Sequence, residues 1–278
     1  MRRIASPKKA ALIGCVFLAF VTGCTDDTPV QPVQPKAVLD YGAGTISWPL
    51  DQFVMSNSEQ NIVQAARDLV YVLCVAKVES LSDDQRAWVD NIVRSKPYPQ
   101  WIWGFWSPGY IARWGYSPVS SAGPADWPTG ACSDNPDYDL LIPMGPMDQD
   151  PMMQAINAAY RNSTTVASQS STYASLKKQM ETCLAAFGYQ SDDAQAGAMI
   201  VKMGAEWAEQ ERLRAAVAAA SCDSGLGITQ ALADIAAVEQ QNYIDLHGKV
   251  LQSVRDEAER RVARARSILT DAGITIPE

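Results

Sequence analysis

Apolar residues recur at helical spacing over most of the chain from residue 56 onward. Ile62, Ala66, Leu69, Val70, Leu73 and Ala76 fall on one face of a helix. Ser56 and Glu59 before them have capping-box spacing, which satisfies two orphan backbone donors reciprocally and predicts a start at Ser56. A second helix is predicted from Ser82, with Gln85 as capping partner, to about Arg94, with Trp88 and Ile92 inward. Helical signal returns at Pro151, a first-turn proline, and runs through Met180, Cys183, Leu184 and Phe187 to a C-cap at Gly188, with the polar stretch 162–171 as a candidate interruption. A further helix is predicted over 192–220, with Ala196, Met199, Met203, Trp207, Leu213 and Val217 apolar. The last opens near Thr229 and carries Leu232, Ile235, Tyr243, Leu246, Val250, Val254, Ala258, Val262, Ala265 and Leu269 at spacings of three, four or their multiples. Its outer face alternates charges, which suits solvent or a partner helix, and Gly248 is a point where it can bend.

Between residues 96 and 150 this pattern stops, because proline and glycine recur every few positions and neither helical nor strand period persists. The segment is rich in aromatics, including Trp101, Trp103, Trp106, Trp114 and Trp127, which argues for ordered packing. No strand alternation is convincing elsewhere; only 38–53 reads as short and extended or irregular. The reading is an all-α domain over 38–278, of about five helices, with a long irregular aromatic-rich insertion at 96–150 and a long C-terminal helix.

The N-terminus changes this picture. Arg2, Arg3, Lys8 and Lys9 precede an apolar run at 10–21, the order of an export signal, and the run is too short to span a bilayer. Val21-Thr22-Gly23-Cys24 resembles the lipobox of bacterial lipoproteins. That resemblance implies a signal at 1–23, diacylglyceryl transfer to the Cys24 thiol, and cleavage that leaves Cys24 first. Two acyl chains suffice for stable anchoring. Residues 24–37 follow as lipidated terminus and linker, and Pro29, Pro32 and Pro35 make it an extended spacer. The expected location is the extracytoplasmic face of a cell membrane.

Loss of residues 1–23 removes four basic side chains and no acidic one, leaving 19 Lys and Arg against 31 Asp and Glu, a net charge of −12 where the full chain has −8. Such a surface repels phosphate backbones, which argues against a nucleic-acid partner. Four cysteines besides Cys15 and Cys24 remain: Cys74, Cys132, Cys183 and Cys222. An even number in an exported chain implies two disulfides with three possible pairings. We favour Cys74 with Cys132 and Cys183 with Cys222, each contributing roughly 3 to 4 kcal/mol on the chain-entropy model. No two of the four have CxxC-like spacing and the chain has one histidine, so zinc is disfavoured and no metal or cofactor is expected.

Catalytic signals are sparse. His247 lies within the last helix and no GxSxG elbow exists to partner it, so it reads as a surface or packing residue. Asp126, Asp134, Asp137, Asp139, Asp148 and Asp150 lie in the aromatic region, where a glycan-cleaving carboxylate pair is conceivable, but aspartates beside proline and glycine are ordinary turn formers. No catalytic residue is assigned. The alternative to a non-enzymatic protein is an envelope glycan-active enzyme using those carboxylates. Trp101, Trp103, Trp106 and Trp114 are the candidate ligand-binding residues, a platform for glycan, peptide or quaternary ammonium; the competing reading is a satellite core. A solute receptor for an importer is disfavoured, because strands do not alternate with helices.

Leu73-Cys74, Arg113-Trp114-Gly115-Tyr116, Cys183-Leu184-Ala185-Ala186-Phe187-Gly188-Tyr189, and Ala219-Ala220-Ser221-Cys222 with Gly225-Leu226 stand in an order that resembles an uncharacterised set of secreted or lipid-anchored actinobacterial proteins. That family usually has Met where Leu184 stands. The resemblance implies location, fold and work alongside envelope transport systems. The expected role is therefore binding of a cell-envelope component or a membrane transport complex, with the membrane itself held through the lipid on Cys24.

Overall fold

The structure is a computed structural model, and it describes residues 35–78, 80–95, 99–116, 130, 132, 135–141, 151–192, 199–204 and 206–277. The signal, Cys24, most of the spacer, and Asp126, Trp127, Asp134, Asp148 and Asp150 lie outside the described residues, as does the side chain of Asp139.

Described residues begin with a small antiparallel hairpin, β1 (Val38–Asp40) and β2 (Thr45–Ser47), in the register Leu39 to Ile46. A 3-10 turn at Pro49–Phe53 follows and buries Leu50. Helix α1 (Asn57–Ala76) opens at the predicted capping box: the Glu59 amide donates to Ser56 Oγ, and the Ser56 amide donates to the Glu59 carboxylate. Its face of Ile62, Val63, Ala66, Leu69 and Val70 is buried, and it stops where Lys77 turns left-handed. Helix α2 (Asp83–Val93) repeats the device with Ser82 and Gln85. Two short helices lie inside the irregular segment: α3 (Pro108–Trp114), capped by Ser107, and α4 (Pro136–Leu141).

The helical signal after Pro151 is two helices, α5 (Pro151–Gln169) and α6 (Ser171–Ala186). Ser170 divides them inside the polar stretch: its Oγ donates to the Ala167 carbonyl and accepts from the Tyr173 amide, so one side chain closes the first helix and caps the second.

The predicted helix over 192–220 is corrected. Its beginning is a two-residue ladder, β3 (Ser191–Asp192) with β4 (Ile200–Val201), and α7 starts only at Glu209 and runs to Leu226. Backbone pairing across the fold decides this: the Met199 amide donates to the Trp103 carbonyl at 2.7 Å, and the Lys202 amide to the Gln190 carbonyl at 2.8 Å. Gly104 makes the first of these possible. It sits at φ +131°, and a Cβ there would stand 2.4 Å from the Met199 carbonyl oxygen.

Helix α8 (Ile228–Asp271) spans 44 residues, about 66 Å, and continues through Gly248. Gly227 in the left-handed region both ends α7 and precedes α8. The first half of α8 contributes Ile228, Leu232, Ala233, Ala236 and Ala237 to a core with α5, α6, α7 and the tryptophan segment. The second half contributes Val262, Ala265 and Leu269 to a core with α1, α2 and α4. Leu251 lies between them, packed with Leu50 and Ile156. The chain is all-α, with eight α-helices and two minimal antiparallel ladders among the described residues, and α8 is the spine that both cores share.

Candidate functional site

The segment 99–116 carries the four tryptophans predicted to bind a ligand, and the hairpin β1–β2 holds it in place. The Gln100 amide donates to the Gly44 carbonyl at 2.8 Å, and the Ile46 amide to the Gln100 side-chain carbonyl at 3.0 Å. Ser107 Oγ donates to the Tyr41 carbonyl. These bonds turn a proline-rich stretch inward.

Trp103 is 1% exposed and Trp106 fully buried, so neither ring can stack on an external ligand. Their polar atoms are satisfied internally: Trp103 Nε1 donates to Ser168 Oγ at 3.0 Å, and Trp106 Nε1 to the Gln100 carbonyl at 2.6 Å. Trp101 is half-buried in edge-to-face contact with Phe105, Trp106 and Tyr110 at 5.5, 6.2 and 5.8 Å. Trp48, outside the segment, meets Trp103 at 6.1 Å. The platform of four rings is corrected at Trp103 and Trp106, which belong to the packed aromatic interior with their N–H groups bonded; Trp101 packs against that interior half-buried, its Nε1 buried without a hydrogen-bond partner among the described residues. Trp114 differs, being 46% exposed at the end of α3 with the Arg113 guanidinium 5.4 Å from its ring centroid.

The four cysteines form the two favoured disulfides. Cys74–Cys132 joins the last turn of α1 to the irregular segment, with Cα atoms 5.9 Å apart; Cys183–Cys222 joins α6 to α7 at 5.8 Å. An open groove of about 520 Å³ beside the second disulfide is lined by Lys178, Gln179, Thr182, Cys183, Ala186 and Leu226.

The carboxylate proposed for glycan chemistry that the structure describes, Asp137, is engaged in a fork with Arg264 at 2.8 and 2.7 Å. The guanidinium holds its carboxyl below the usual carboxylate range, suited to an ion pair rather than a proton donor. His247 is exposed on α8 and stacks on Tyr243 at 4.3 Å. Among the described residues no group of His, Cys, Asp or Glu is arranged to hold a metal ion, and no helix is long and apolar enough to cross a membrane.

Several polar residues that the sequence did not single out are buried or half-buried and bonded between elements. Asp223, 2% exposed, accepts from the Thr229 amide at 3.2 Å and its hydroxyl at 2.9 Å, bracing the corner between α7 and α8. Burial pushes its carboxyl up to about 7, against the opposing pull of the Thr229 bonds. Asp51 accepts from the Tyr160 hydroxyl at 2.5 Å and from the Trp48 amide at 2.7 Å, and burial raises its pKa. Gln240 accepts from the Leu50 amide and donates to Ser163. Arg255 joins α8 to the start of α1 by bonding Glu59, Glu259 and the Val54 carbonyl. The pattern of apolar residues carries no signal for these bonds, which span up to 201 positions. They join elements rather than line an opening.

The apolar side chains left outward on α8 are Leu246, 80% exposed, and Val250, 44% exposed, one turn apart. Comparison with protein-family models, curated proteins and solved structures returns no significant match, so the chemistry of these surfaces is the remaining guide to function.

Proposed function

We propose that this protein is a lipid-anchored extracytoplasmic protein, of the lipobox type and similar to the actinobacterial set described above, that binds a cell-envelope component or a membrane transport complex without catalysing a reaction. The observation that carries the reading is Val21-Thr22-Gly23-Cys24 directly before a proline-rich spacer and a domain bearing two disulfides. Disulfides suit an oxidising compartment, the same destination that an export signal specifies.

For the binding surface, the burial of Trp103 and Trp106 moves attention to α8. Leu246 and Val250 sit on a helix held along its length by the two cores, and a rigid helix with a turn-spaced apolar pair fits a partner's helix or groove. The envelope-enzyme alternative draws less support, since Asp137 is committed to Arg264.

The anchoring is tested by mass spectrometry of the mature N-terminus from host membranes. An acylated Cys24 at the mature N-terminus is expected, with Cys24→Ser leaving the protein unlipidated and its signal uncleaved; a mature N-terminus without acyl groups on Cys24 would overturn it. The binding surface is tested by photo-crosslinking from position 246 against position 263, an exposed α8 position away from the apolar pair. A discrete adduct from 246 alone is expected, and equal labelling from both positions would reject this surface.

A further inference from the structure

The described chain enters the domain at Pro35, and the next residues fix where a tether from Cys24 must join it. The Ala37 amide donates to Asp234 of α8 at 3.3 Å, and its carbonyl accepts from Gln230 at 3.0 Å. The twelve residues between Cys24 and Ala37 span at most roughly 45 Å when fully extended. The surface around this entry point is the part of the domain whose distance from the acyl chains is limited by that reach.

That surface is apolar and aromatic at a succession of exposed positions. Val38 is 65% exposed at the first strand position, and Tyr41, 40% exposed, lies three residues on at the hairpin turn. Tyr41 abuts the start of α3, where its carbonyl accepts from Ser107 and a Cβ on Gly109 would meet the same oxygen at 4.0 Å. From there the exposed positions Gly109, Ala112 and Arg113 run along α3 to Trp114, about 10 Å further.

The charges differ in kind from those of the whole molecule. The mature chain carries −12, whereas here Lys36 and Arg113 point outward against two carboxylates, Asp40 and the half-buried Asp234, so that the local charge is balanced. Asp40 turns its carboxylate onto the Gly42 and Ala43 amides at 2.8 and 2.9 Å. An acidic domain tethered to an anionic surface is repelled over most of its faces, and a face whose charges balance is the one that can approach. Tyrosine and tryptophan partition to the headgroup region, and an arginine beside them bonds lipid phosphate.

We propose that the strip from Val38 through Tyr41 and the outer face of α3 to Trp114 is the membrane-apposed face of the domain, and that its occupant is the bilayer carrying the Cys24 acyl chains. The proposal rests on the lipid-anchor reading above. It orients the molecule, with tether and aromatic strip together at the lipid headgroups.

The test uses the lipidated mature protein, purified from host membranes and reconstituted into phosphatidylglycerol and phosphatidylcholine vesicles with brominated acyl chains. Bromine is expected to quench part of the tryptophan emission in the natural protein, and Trp114→Phe is expected to lose most of that quenching, since the exposed site accepts another ring without repacking. Equal quenching in both proteins, or none in the natural one, overturns the proposal. The mass of the N-terminal peptide separates the two readings: acylated Cys24 with no Trp114-dependent quenching removes only the membrane-apposed face, whereas unmodified Cys24 removes the anchor and this face together.

Discussion

Two tryptophans eleven positions apart show how far identical side chains diverge in role. Trp103 is buried among Trp48, Met199 and the residues of α8, while Trp114 stands nearly half in solvent. Truncating the first leaves a large cavity and removes the partner of Ser168, so Trp103→Ala is expected to cost about 3 to 5 kcal/mol, whereas Trp114→Ala, which loses a half-exposed ring and the Arg113 contact, should cost about 1 kcal/mol. Chemical denaturation of the two variants checks both values. Asp223 gives a second prediction at this scale. Its folded pKa of about 7 lies above the ordinary aspartate value of 3.8, so the folded state binds its proton more tightly than the unfolded chain. The stability from the protonated form is complete below about pH 4 and lost as pH rises through 7, on the order of a few kcal/mol over the whole range. The melting temperature is expected to fall between pH 5 and pH 8, and Asp223→Asn, which keeps acceptor and shape, should flatten that fall; equal slopes for the two proteins would exclude Asp223 as its source.

At the scale of elements, the capping boxes at Ser56 and Ser82 and the apolar stripe of α1 were legible because each depends on residues within one turn of one another. Residues 199–204, read from the sequence as helix, instead depend on backbone pairing with Gln190, Ser191, Asp192 and Trp103. Alanine and methionine favour helix at these positions, but propensity is worth only tenths of a kcal/mol per residue and yields to backbone pairing and burial of Met199. Gly104 is where the local sequence yields to the fold. Gly104→Ala must accept both an unfavourable φ and contact with the Met199 carbonyl, and is expected to cost about 2 kcal/mol or more, measured by thermal unfolding. Gly109→Ala, at an open helical position of α3, is the control and should lack that penalty.

For the whole molecule, α8 is the feature on which the rest is assembled. It collects one core on each half, and Arg255 pins the start of α1 against its middle through Glu59. The pinned carboxyl is held down to about 2, chiefly by the Arg255 hydrogen bonds. The disulfides act on each side of this spine, one in the α1 half and one in the α6–α7 half. Closing loops of 58 and 39 positions, each contributes about 4 kcal/mol by restricting the unfolded chain. The Cys183→Ser, Cys222→Ser double variant is expected to lose about that much stability in urea, and no loss would mean that the reduced chain gains compensating order.

By itself the sequence determined the all-α class, the capped starts of α1 and α2, the length of α8 and the even set of cysteines, since each follows from neighbours a few positions apart or from composition. Tertiary structure decided which tryptophans are interior and which one faces outward, because a ring's burial depends on segments as distant as Ser168 and Met199. It also decided where α7 begins, which carboxylate is buried, and which cysteines meet among three pairings. These outcomes rest on close packing and hydrogen bonds between residues that no local period connects, and a pattern along the chain records only the periods.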